Sequence, residues 1–390
     1  MNWYLQSGKD SDVVLSTRIR FSRNIAGFPF QLKNKQQVQE LQNKIQEQLY
    51  AIGYGLQFFK LSDMDEITKQ SLVEKNLITL QFAKNRTGLN AILLNEEENI
   101  CIMINEEDHL RIQVFSSGLE IENALNFAIE LDNKIDEVMG YSKSQKYGYL
   151  TLYPNNCGTG LRVSTMLQLP GLLITRNMKS VFDALSNFEV NIKAVENTKD
   201  IFEISNTKTL GIQETEIAQG VKIITEKVME KEREIRKLLA QDGMALEDKI
   251  YRSYGILSNC RTISLEEAKE YLSTLKLGTD LGILQELTDS KIQKMCLYAK
   301  PANLQKYLGS QYEAVELDAK RAEVLKQIIN EWLLGAMSNW GRFFFDILST
   351  LGAMSNWGRF FFGHRPESVI SKGRSEILWH TNLQTAATKR

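Results

Sequence analysis

The sequence lacks the features that would place it in several special classes of protein. Its net charge over 390 residues is −1, so it has no global basic field of the kind that attracts nucleic acid. It also has no apolar run of about 18 residues, the length that a membrane-spanning helix needs. We therefore expect neither a direct nucleic-acid partner nor a membrane partner.

Cysteines are few, and their spacing does not form a metal motif. The four of them, Cys101, Cys157, Cys260 and Cys296, make no CxxC pair. This pattern argues against a zinc site and favours a reducing compartment. The first twelve residues also lack the charged-then-apolar order of a secretory signal. Together these observations predict a cytoplasmic protein.

The chain has an ordinary globular composition, 43% hydrophobic and 24% charged, and is long enough for two domains. Helical and strand patterns alternate up to about residue 240, and only helical patterns follow. We therefore predict an α/β domain over residues 1–238 and a smaller helical domain over residues 239–330. Residues 331–390 form an atypical tail, in which LGAMSNWGRFFF at 334–345 recurs unchanged at 351–362. We interpret this tail as a duplication or a sequence artefact, with a partner-binding helix as the alternative.

Residues 105–111, NEEDHLR, are the most informative stretch of the chain. Three carboxylates in a row follow an apolar, strand-like run at 100–104. Each carboxylate raises the cost of ionising the next unless cations lie nearby. Arg111, two residues after His109, suggests that the other half of the site consists of cations facing an anionic ligand.

Three further segments carry charges that could contribute to such a site. In STRIR, residues 16–20, Arg18 and Arg20 share one face of a strand because side chains repeat every two residues. In GTGLR, residues 158–162, a flexible loop precedes Arg162. Glu196 lies in a polar loop before the strand-like run 201–205.

Taken singly, each of these features also has a structural interpretation. The two strand arginines could be solvated charges on an edge strand, and a lone GTG indicates a phosphate site only weakly. We expect His109 to be structural and Glu203 to lie on a solvated strand face. We expect Glu106 and Asp108 to be supporting charges rather than chemical actors.

The combination of these segments is more specific than any one of them. STRIR, NEEDHLR and GTGLR in this order resemble the ATP:guanido phosphotransferase (phosphagen kinase) family, most closely its bacterial branch of protein arginine kinases. VVLSTRIRFSRN, IFEISN and LEDKIYRSYGILSNCR also look like that branch, and the resemblance covers residues 10–325. It implies that residues 1–238 form a phosphagen-kinase-like catalytic domain. The implied fold is α/β, a glutamine-synthetase-like antiparallel sheet flanked by helices and followed by a helical domain.

The resemblance also implies the site residues. Glu107 and Glu196 match the two catalytic carboxylates, which would hold the acceptor guanidinium and accept its proton. The positions that would line the ATP site are Ser16, Thr17, Arg18, Ile19, Arg20, Asn76, Arg111, Arg162, Val163, Ser164, Thr165, Met166 and Asn191. The arginines among them would bind phosphate oxygens bidentately. Mg²⁺ would be held mainly by the nucleotide and water, so no protein metal ligand is predicted.

At several positions the chain departs from the family pattern. Tyr153 stands where the family has its active-site cysteine, and Asn191 stands where it has an arginine. Asn76 occupies the position of a histidine that lies near the nucleotide in the bacterial branch. Lys193 is a candidate for the cation that compensates for the missing arginine, but we expect it to point elsewhere if its segment is a strand.

The resemblance favours one function and leaves alternatives open. The leading hypothesis is a protein arginine kinase that transfers the γ-phosphoryl group of ATP to arginine side chains of proteins and so marks them for stress-related proteolysis. The RDxxRA motif that reads phosphoarginine is degenerate here, LDAKRA at 317–322, which leaves Asp318 and Arg321 as candidates.

The implied partners are protein substrates with exposed arginines, a zinc-containing activator protein, a heat-shock repressor and the Clp protease system. A homo-oligomer is also expected. The alternative is a catalytically attenuated or inactive descendant that acts as a nucleotide- or protein-binding module. A third hypothesis, a free-guanidine phosphagen kinase, would need an N-terminal helical domain, and STRIR already begins at residue 16.

Overall fold

A computed structural model of the protein describes residues 2–32, 34–85, 88–185, 188–196, 198–241 and 243–330. The predicted tail, with its repeated segment, lies outside these described residues. The described residues belong to one compact unit.

Eight strands form a single antiparallel sheet in the described part of the chain, in the order β2-β3-β4-β5-β1-β8-β10-β9, and β6 pairs with β7 separately. The strands are β1 (Val14–Arg23), β2 (Gln57–Lys60), β3 (Ala91–Leu94), β4 (Ile100–Ile104), β5 (Leu110–Ser117), β6 (Lys143–Ser144), β7 (Gly148–Tyr149), β8 (Leu161–Gln168), β9 (Val190–Ala194) and β10 (Ile201–Asn206). The longest strand, β1, is central, with β5 on one side and β8 on the other.

Helices surround this sheet and then continue alone. They are α1 (Lys35–Leu49), α2 (Glu66–Glu74), α3 (Leu80–Ala83), α4 (Ile121–Met139), α5 (Pro170–Ile174), α6 (Met178–Leu185), α7 (Glu214–Gln241), α8 (Met244–Asn259), α9 (Leu265–Asp280), α10 (Asp289–Ala299) and α11 (Pro301–Leu308). Residues 314–330 are also helical. Short 3₁₀ helices span Trp3–Leu5, Tyr50–Ile52, Leu61–Asp63 and Pro154–Asn156. The predicted antiparallel sheet with flanking helices, followed by a helical region, is confirmed.

One face of the sheet carries the main apolar core. Ile19 and Phe21 of β1 and Val163 of β8 are buried there, because alternate residues of a strand point to one side. Helices α4 and α7 pack against this face. Helix α4 supports the packing with Leu131 and Ile135, which are buried at helical spacing. We call this side the core face.

The opposite face is covered only in part. Helices α2 and α3 and the loops around them cover β3 and β4 through a smaller apolar cluster that includes Leu72, Phe82 and Met103. Strands β5, β1, β8 and β10 instead present many polar side chains on this side. We call it the site face, because all four predicted phosphate-binding arginines lie on it.

The helical region after α7 has an apolar cluster of its own. Ile250 of α8, Leu275 of α9, Met295 of α10 and Leu325 are buried together in it. The boundary predicted between residues 238 and 239 falls within the last turn of α7, and it stays a prediction. No helix among the described residues is long and apolar enough to cross a membrane.

Candidate active site

The strand register brings four arginines together on the site face. Arg20 lies directly opposite Arg162 of β8. Arg18 lies opposite Ser164 of the same strand, and Arg111 of β5 lies opposite Ser22 of β1. Directly opposed residues of antiparallel strands share a face, so Arg18, Arg20, Arg111 and Arg162 project from three adjacent strands to the same side.

These arginines stand close enough to repel one another. Burial lowers the pKa of Arg18, with Arg111 and Arg162 adding repulsion while the Glu203 carboxylate opposes the shift. Burial lowers the pKa of Arg20 well below its usual value, and the largest repulsion comes from Arg111. A guanidinium still stays charged in proteins, so the site face concentrates positive charge.

Carboxylates neutralise only part of this charge. Arg18 Nη2 lies 3.1 Å from Glu203 Oε2, and Arg111 Nη1 lies 2.5 Å from Glu106 Oε1. Arg162 Nη2 donates to the hydroxyl oxygen of Ser205 at 3.4 Å.

Arg20 Nε has no such partner. It is buried and has no hydrogen-bond partner in the described part of the chain. Because an unsatisfied buried donor on a cation is costly, this arrangement is typical of a site that receives an anion.

Within the NEEDHLR stretch, Asp108 and His109 serve the fold. Asp108 Oδ1 accepts hydrogen bonds from Asn24 Nδ2 and from the Leu152 backbone, both at 2.7 Å. His109 Nδ1 accepts from the Ile25 backbone at 3.0 Å. This leaves its Nε2–H to donate to a backbone carbonyl at 2.8 Å. Burial lowers the pKa of His109, which fits a neutral ring. The interpretation of His109 as structural is confirmed.

The two predicted catalytic carboxylates are exposed on separate loops. Glu107 follows β4, and its backbone N–H donates to Glu106 Oε2 at 2.7 Å. Glu196 lies in the turn between β9 and β10. Glu107 is the only exposed carboxylate of the three in NEEDHLR, whereas Asp108 is buried. The catalytic roles of Glu107 and Glu196 stay predictions.

Strand β9 extends the site face at its outer side. Asn191 is exposed and lies opposite Ser205, and Lys193 lies opposite Glu203. The expectation that Lys193 points elsewhere is wrong, because residues two apart in a strand share a face. Lys193 Nζ lies 3.6 Å from Glu203 Oε1, so Glu203 interacts with both Lys193 and Arg18.

Four of the predicted ATP-site residues turn their side chains to the core face. Ile19 and Val163 are fully buried in the apolar core. Thr17 Oγ1 donates to the Gly118 carbonyl at 2.7 Å, and Thr165 Oγ1 lies 2.8 Å from Thr225 Oγ1. Any contact of these four with a nucleotide would therefore have to come from their backbones, and their binding role stays a prediction.

A small pocket beside the arginines is lined by six of the predicted residues, namely Ser16, Arg18, Asn76, Ser164, Thr165 and Met166. Three residues that sequence reasoning missed also line it: Trp3, Phe115 and Glu203. Glu203 was expected on a solvated face, and that is wrong, since it is only 8% exposed and pairs with Arg18. Its alternation with the apolar Phe202 and Ile204 indicated its face of the strand but not its ion pair with Arg18.

The GTG segment is a packed structural loop. Gly158 and Gly160 have φ values of +96° and +60°, which favour glycine. A Cβ at Gly160 would lie 2.5 Å from Arg23 Nη1, and one at Gly158 would lie 2.3 Å from the Thr209 carbonyl oxygen. These glycines are required by the close approach of neighbouring groups. Before this loop, Tyr153 is 49% exposed.

The degenerate phosphoarginine-reading pair lies in the helical region. Arg321 is 2% exposed and donates to the carbonyl oxygens of Ala299 at 2.6 Å and Ile263 at 2.7 Å. It also pairs with Asp318. Such contacts are typical of a structural arginine, and a reading role for Asp318 and Arg321 stays a prediction.

Known proteins resemble this chain along most of its length. One family model, for the C-terminal catalytic domain of ATP:guanido phosphotransferases, matches residues 36–235. Another, for the C-terminal domain of the protein-arginine kinase McsB, matches residues 243–336.

Individual relatives and solved structures agree with these matches. The chain is 38% identical to the protein-arginine kinase of Halothermothrix orenii over 337 residues, covering 84% of this chain and 96% of that protein. It is 38% identical to the protein-arginine kinase of Bacillus pumilus over 336 residues, covering 83% and 92%. Its structure is similar to a crystal structure of lombricine kinase, with a TM-score of 0.51, 25% identity and coverage of 58% of this chain and 68% of that one. The predicted phosphagen-kinase catalytic fold is confirmed.

Proposed function

The chain belongs to the ATP:guanido phosphotransferase family, in its protein-arginine kinase branch, and on that premise we propose that it is an active protein arginine kinase. It transfers the γ-phosphoryl group of ATP to arginine side chains of proteins. The observation that carries this proposal is the cluster of Arg18, Arg20, Arg111 and Arg162, in which Arg20 Nε lacks a partner. The same cluster supports ATP as the anion that the site receives.

Phosphoryl transfer depends on charge neutralisation and alignment more than on covalent help. Four guanidinium groups fixed on three hydrogen-bonded strands offer both, since their positions are set before the substrate arrives. Mg²⁺ enters with the substrate as MgATP. As the resemblance implies, the phosphates and water would supply most of its ligands.

The acceptor is a guanidinium that must lose a proton before it can attack. In the proposed step, a bond forms between a guanidinium nitrogen and the γ-phosphorus, and the bond from that phosphorus to the bridging oxygen of ADP breaks. The proton passes to Glu107, whose exposed carboxylate can face a substrate side chain. Glu196, on the loop after β9, would hold the guanidinium from the other side.

The wider role is proposed from the resemblance. Phosphorylated proteins would be marked for stress-related proteolysis by the Clp system, and a zinc-containing activator protein and a heat-shock repressor would be partners. A homo-oligomer in the cytoplasm fits the same proposal. No specific observation favours the alternative of an inactive nucleotide- or protein-binding descendant.

The test is a transfer assay with the purified full chain, Mg-ATP and an unfolded, arginine-rich protein. Acid-labile phosphate on arginine, detected by mass spectrometry, is the expected product. The substitution Glu107→Gln should reduce the rate by about 10²–10⁴-fold, the usual contribution of a general base. ATP affinity, measured by calorimetry, should change little.

The matched control is Glu137→Gln, an exposed carboxylate on α4 at the core-face side, which should keep the full rate. If the wild-type chain binds ATP but labels no arginine, the kinase proposal is wrong and the binding-module alternative holds.

A further inference from the structure

The N-terminal segment places an aromatic ring on the site face. The Trp3 indole stacks on Phe115, with ring centroids 5.2 Å apart and an angle of 12° between the planes. Phe115 lies directly opposite Arg18 in the sheet, so it projects to the site face. Trp3 therefore stands beside the arginine cluster, although it precedes all of the cluster's motifs in the sequence.

The pocket that Trp3 lines differs chemically from the arginine cluster. Beside the Arg18–Glu203 ion pair, its lining includes the aromatic residues Trp3 and Phe115 together with Met166 and Asn76. Aromatic rings and thioethers favour flat, polarisable groups, and an amide can both donate to and accept from a heterocycle. These are the properties that bind a nucleobase, whereas guanidinium groups bind phosphates. Arg18 belongs to both regions, because it is a member of the arginine cluster and also lines the pocket.

One residue, Glu98, is hydrogen-bonded to both chain segments that supply Trp3 and Asn76 to this pocket. Its backbone carbonyl accepts from Trp3 Nε1 at 3.0 Å. Its carboxylate accepts from Tyr4 at 2.6 Å and from Lys75 at 2.8 and 2.9 Å. Lys75 directly precedes Asn76, which also lines the pocket.

The backbone conformation of Glu98 and the protonation state of Tyr4 are consistent with these contacts. Glu98, at the tip of the β3–β4 hairpin, has a φ value of 56°, a left-handed conformation that is uncommon for Glu, and Asn76 has one of 61°, which Asn adopts more readily. Burial, and then the hydrogen bond to Glu98, raise the pKa of Tyr4, so its phenol remains a donor. The N-terminal segment that carries Trp3 also contacts α10, because Gln293 Nε2 donates to the Gln6 carbonyl at 3.1 Å.

We propose that Trp3 is a nucleobase-contacting residue of the ATP site, and that Glu98 is the positioning residue that fixes Trp3 and Asn76 around the base. This inference rests on the proposed function for the identity of the ligand as ATP. The specificity of the site for its nucleotide is thus set partly by the N-terminal segment, outside the STRIR, NEEDHLR and GTGLR motifs.

The test compares two ligands that share a triphosphate but not a base. The affinities of the full chain for ATP and for inorganic tripolyphosphate are measured by calorimetry, for the wild type and for Trp3→Ala. The affinity for ATP should fall about 10-fold, as expected for loss of base stacking, while that for tripolyphosphate stays within about twofold. In the transfer assay KM for ATP should rise with kcat unchanged, and Trp3→Phe should recover most of the affinity.

The positioning role of Glu98 has its own readout. Glu98→Ala should weaken ATP binding and spare tripolyphosphate, as Trp3→Ala does. The double variant should lose less than the sum of the two single losses, because Glu98 acts in part through Trp3. The control is Tyr147→Ala, an exposed aromatic residue between β6 and β7, which should change neither affinity.

Several outcomes would overturn the inference. Equal losses for both ligands would make Trp3 a structural residue, and an unchanged ATP affinity would remove it from the site. If the wild-type chain bound neither ligand, both the inference and the proposed function would fail. If ATP binding depended on Trp3 but no arginine were phosphorylated, the base contact would stand and only the proposed function would fail.

Discussion

Two arginines of β1, Arg23 and Arg20, are three residues apart and in opposite situations. Arg23 belongs to the core face and is 1% exposed. Its Nε and Nη2 donate to Asp132, and its Nη1 donates to the Ser22 and Thr159 carbonyls at 2.9 Å. Arg20 belongs to the site face, where other arginines surround it and its buried Nε has no partner among the described residues.

The difference separates a structural arginine from one prepared for a ligand. The protein satisfies Arg23 with a buried carboxylate, two carbonyls and the Tyr149 ring, which lies 3.6 Å from the guanidinium carbon. For Arg20 the compensating anion has to come from outside. Both residues are arginines and both lie on β1. Their roles therefore differ only because they project from opposite faces of the strand and meet different neighbours there.

The largest effect is expected at Arg23. The substitution Arg23→Met would leave the Asp132 carboxylate buried without its partner, which typically costs about 3–5 kcal/mol of unfolding free energy. Urea unfolding followed by circular dichroism measures it. Arg252→Met, which removes an exposed ion pair on α8, is the control and should leave stability unchanged. A loss at Arg23 no larger than the control's would contradict its structural role.

A smaller and different effect is expected at Arg20. Arg20→Met removes a repulsive charge, so the free energy of unfolding should stay the same or rise. The affinity for ATP should fall by about 10–100-fold, because a hydrogen bond to a charged group contributes about 1.5–3 kcal/mol. Calorimetry with ATP and urea unfolding of the same sample separate the two quantities. If Arg20→Met lowered the free energy of unfolding as much as Arg23→Met does, the distinction between a structural and a ligand-binding arginine would be wrong.

The smallest effect extends the comparison to NEEDHLR, in which His109 is buried and Glu107 is exposed. Burial lowers the pKa of His109 in the folded state, whereas the unfolded value is about 6.5. Below about pH 6.5 the unfolded chain therefore gains a proton that the folded chain does not, and stability falls as pH falls. The slope is at most about 1.4 kcal/mol per pH unit.

The measurement is urea unfolding between about pH 7.5 and pH 5.5, the range around the unfolded histidine pKa. The stability difference between the wild type and His109→Gln should shrink as pH falls, since the variant lacks this titration. Parallel pH curves would show that the His109 ring is not held neutral. Glu107→Gln is the control, because its exposed side chain should leave the pH profile of stability unchanged.

Much of the fold and part of the candidate site could be predicted from local patterns. Alternation in STRIR placed Arg18 and Arg20 on one face, as the structure has them. The same rule, applied correctly to β9, would have placed Lys193 with Asn191. The roles of neighbouring residues were harder to predict. Glu203 was assigned to a solvated face because its partner, Arg18, is 185 residues away in sequence.

The sequence by itself determined which residues share a side of each strand, because that periodicity is a local property of the backbone. It also determined the family, through motifs whose order along the chain is specific. Only the tertiary structure decided which strands are neighbours, and hence that β1 lies between β5 and β8 and that their arginines meet. It also brought Trp3 onto Phe115 and placed Glu98 between Tyr4 and Lys75. Those contacts depend on long-range packing and hydrogen bonding, which no local pattern encodes.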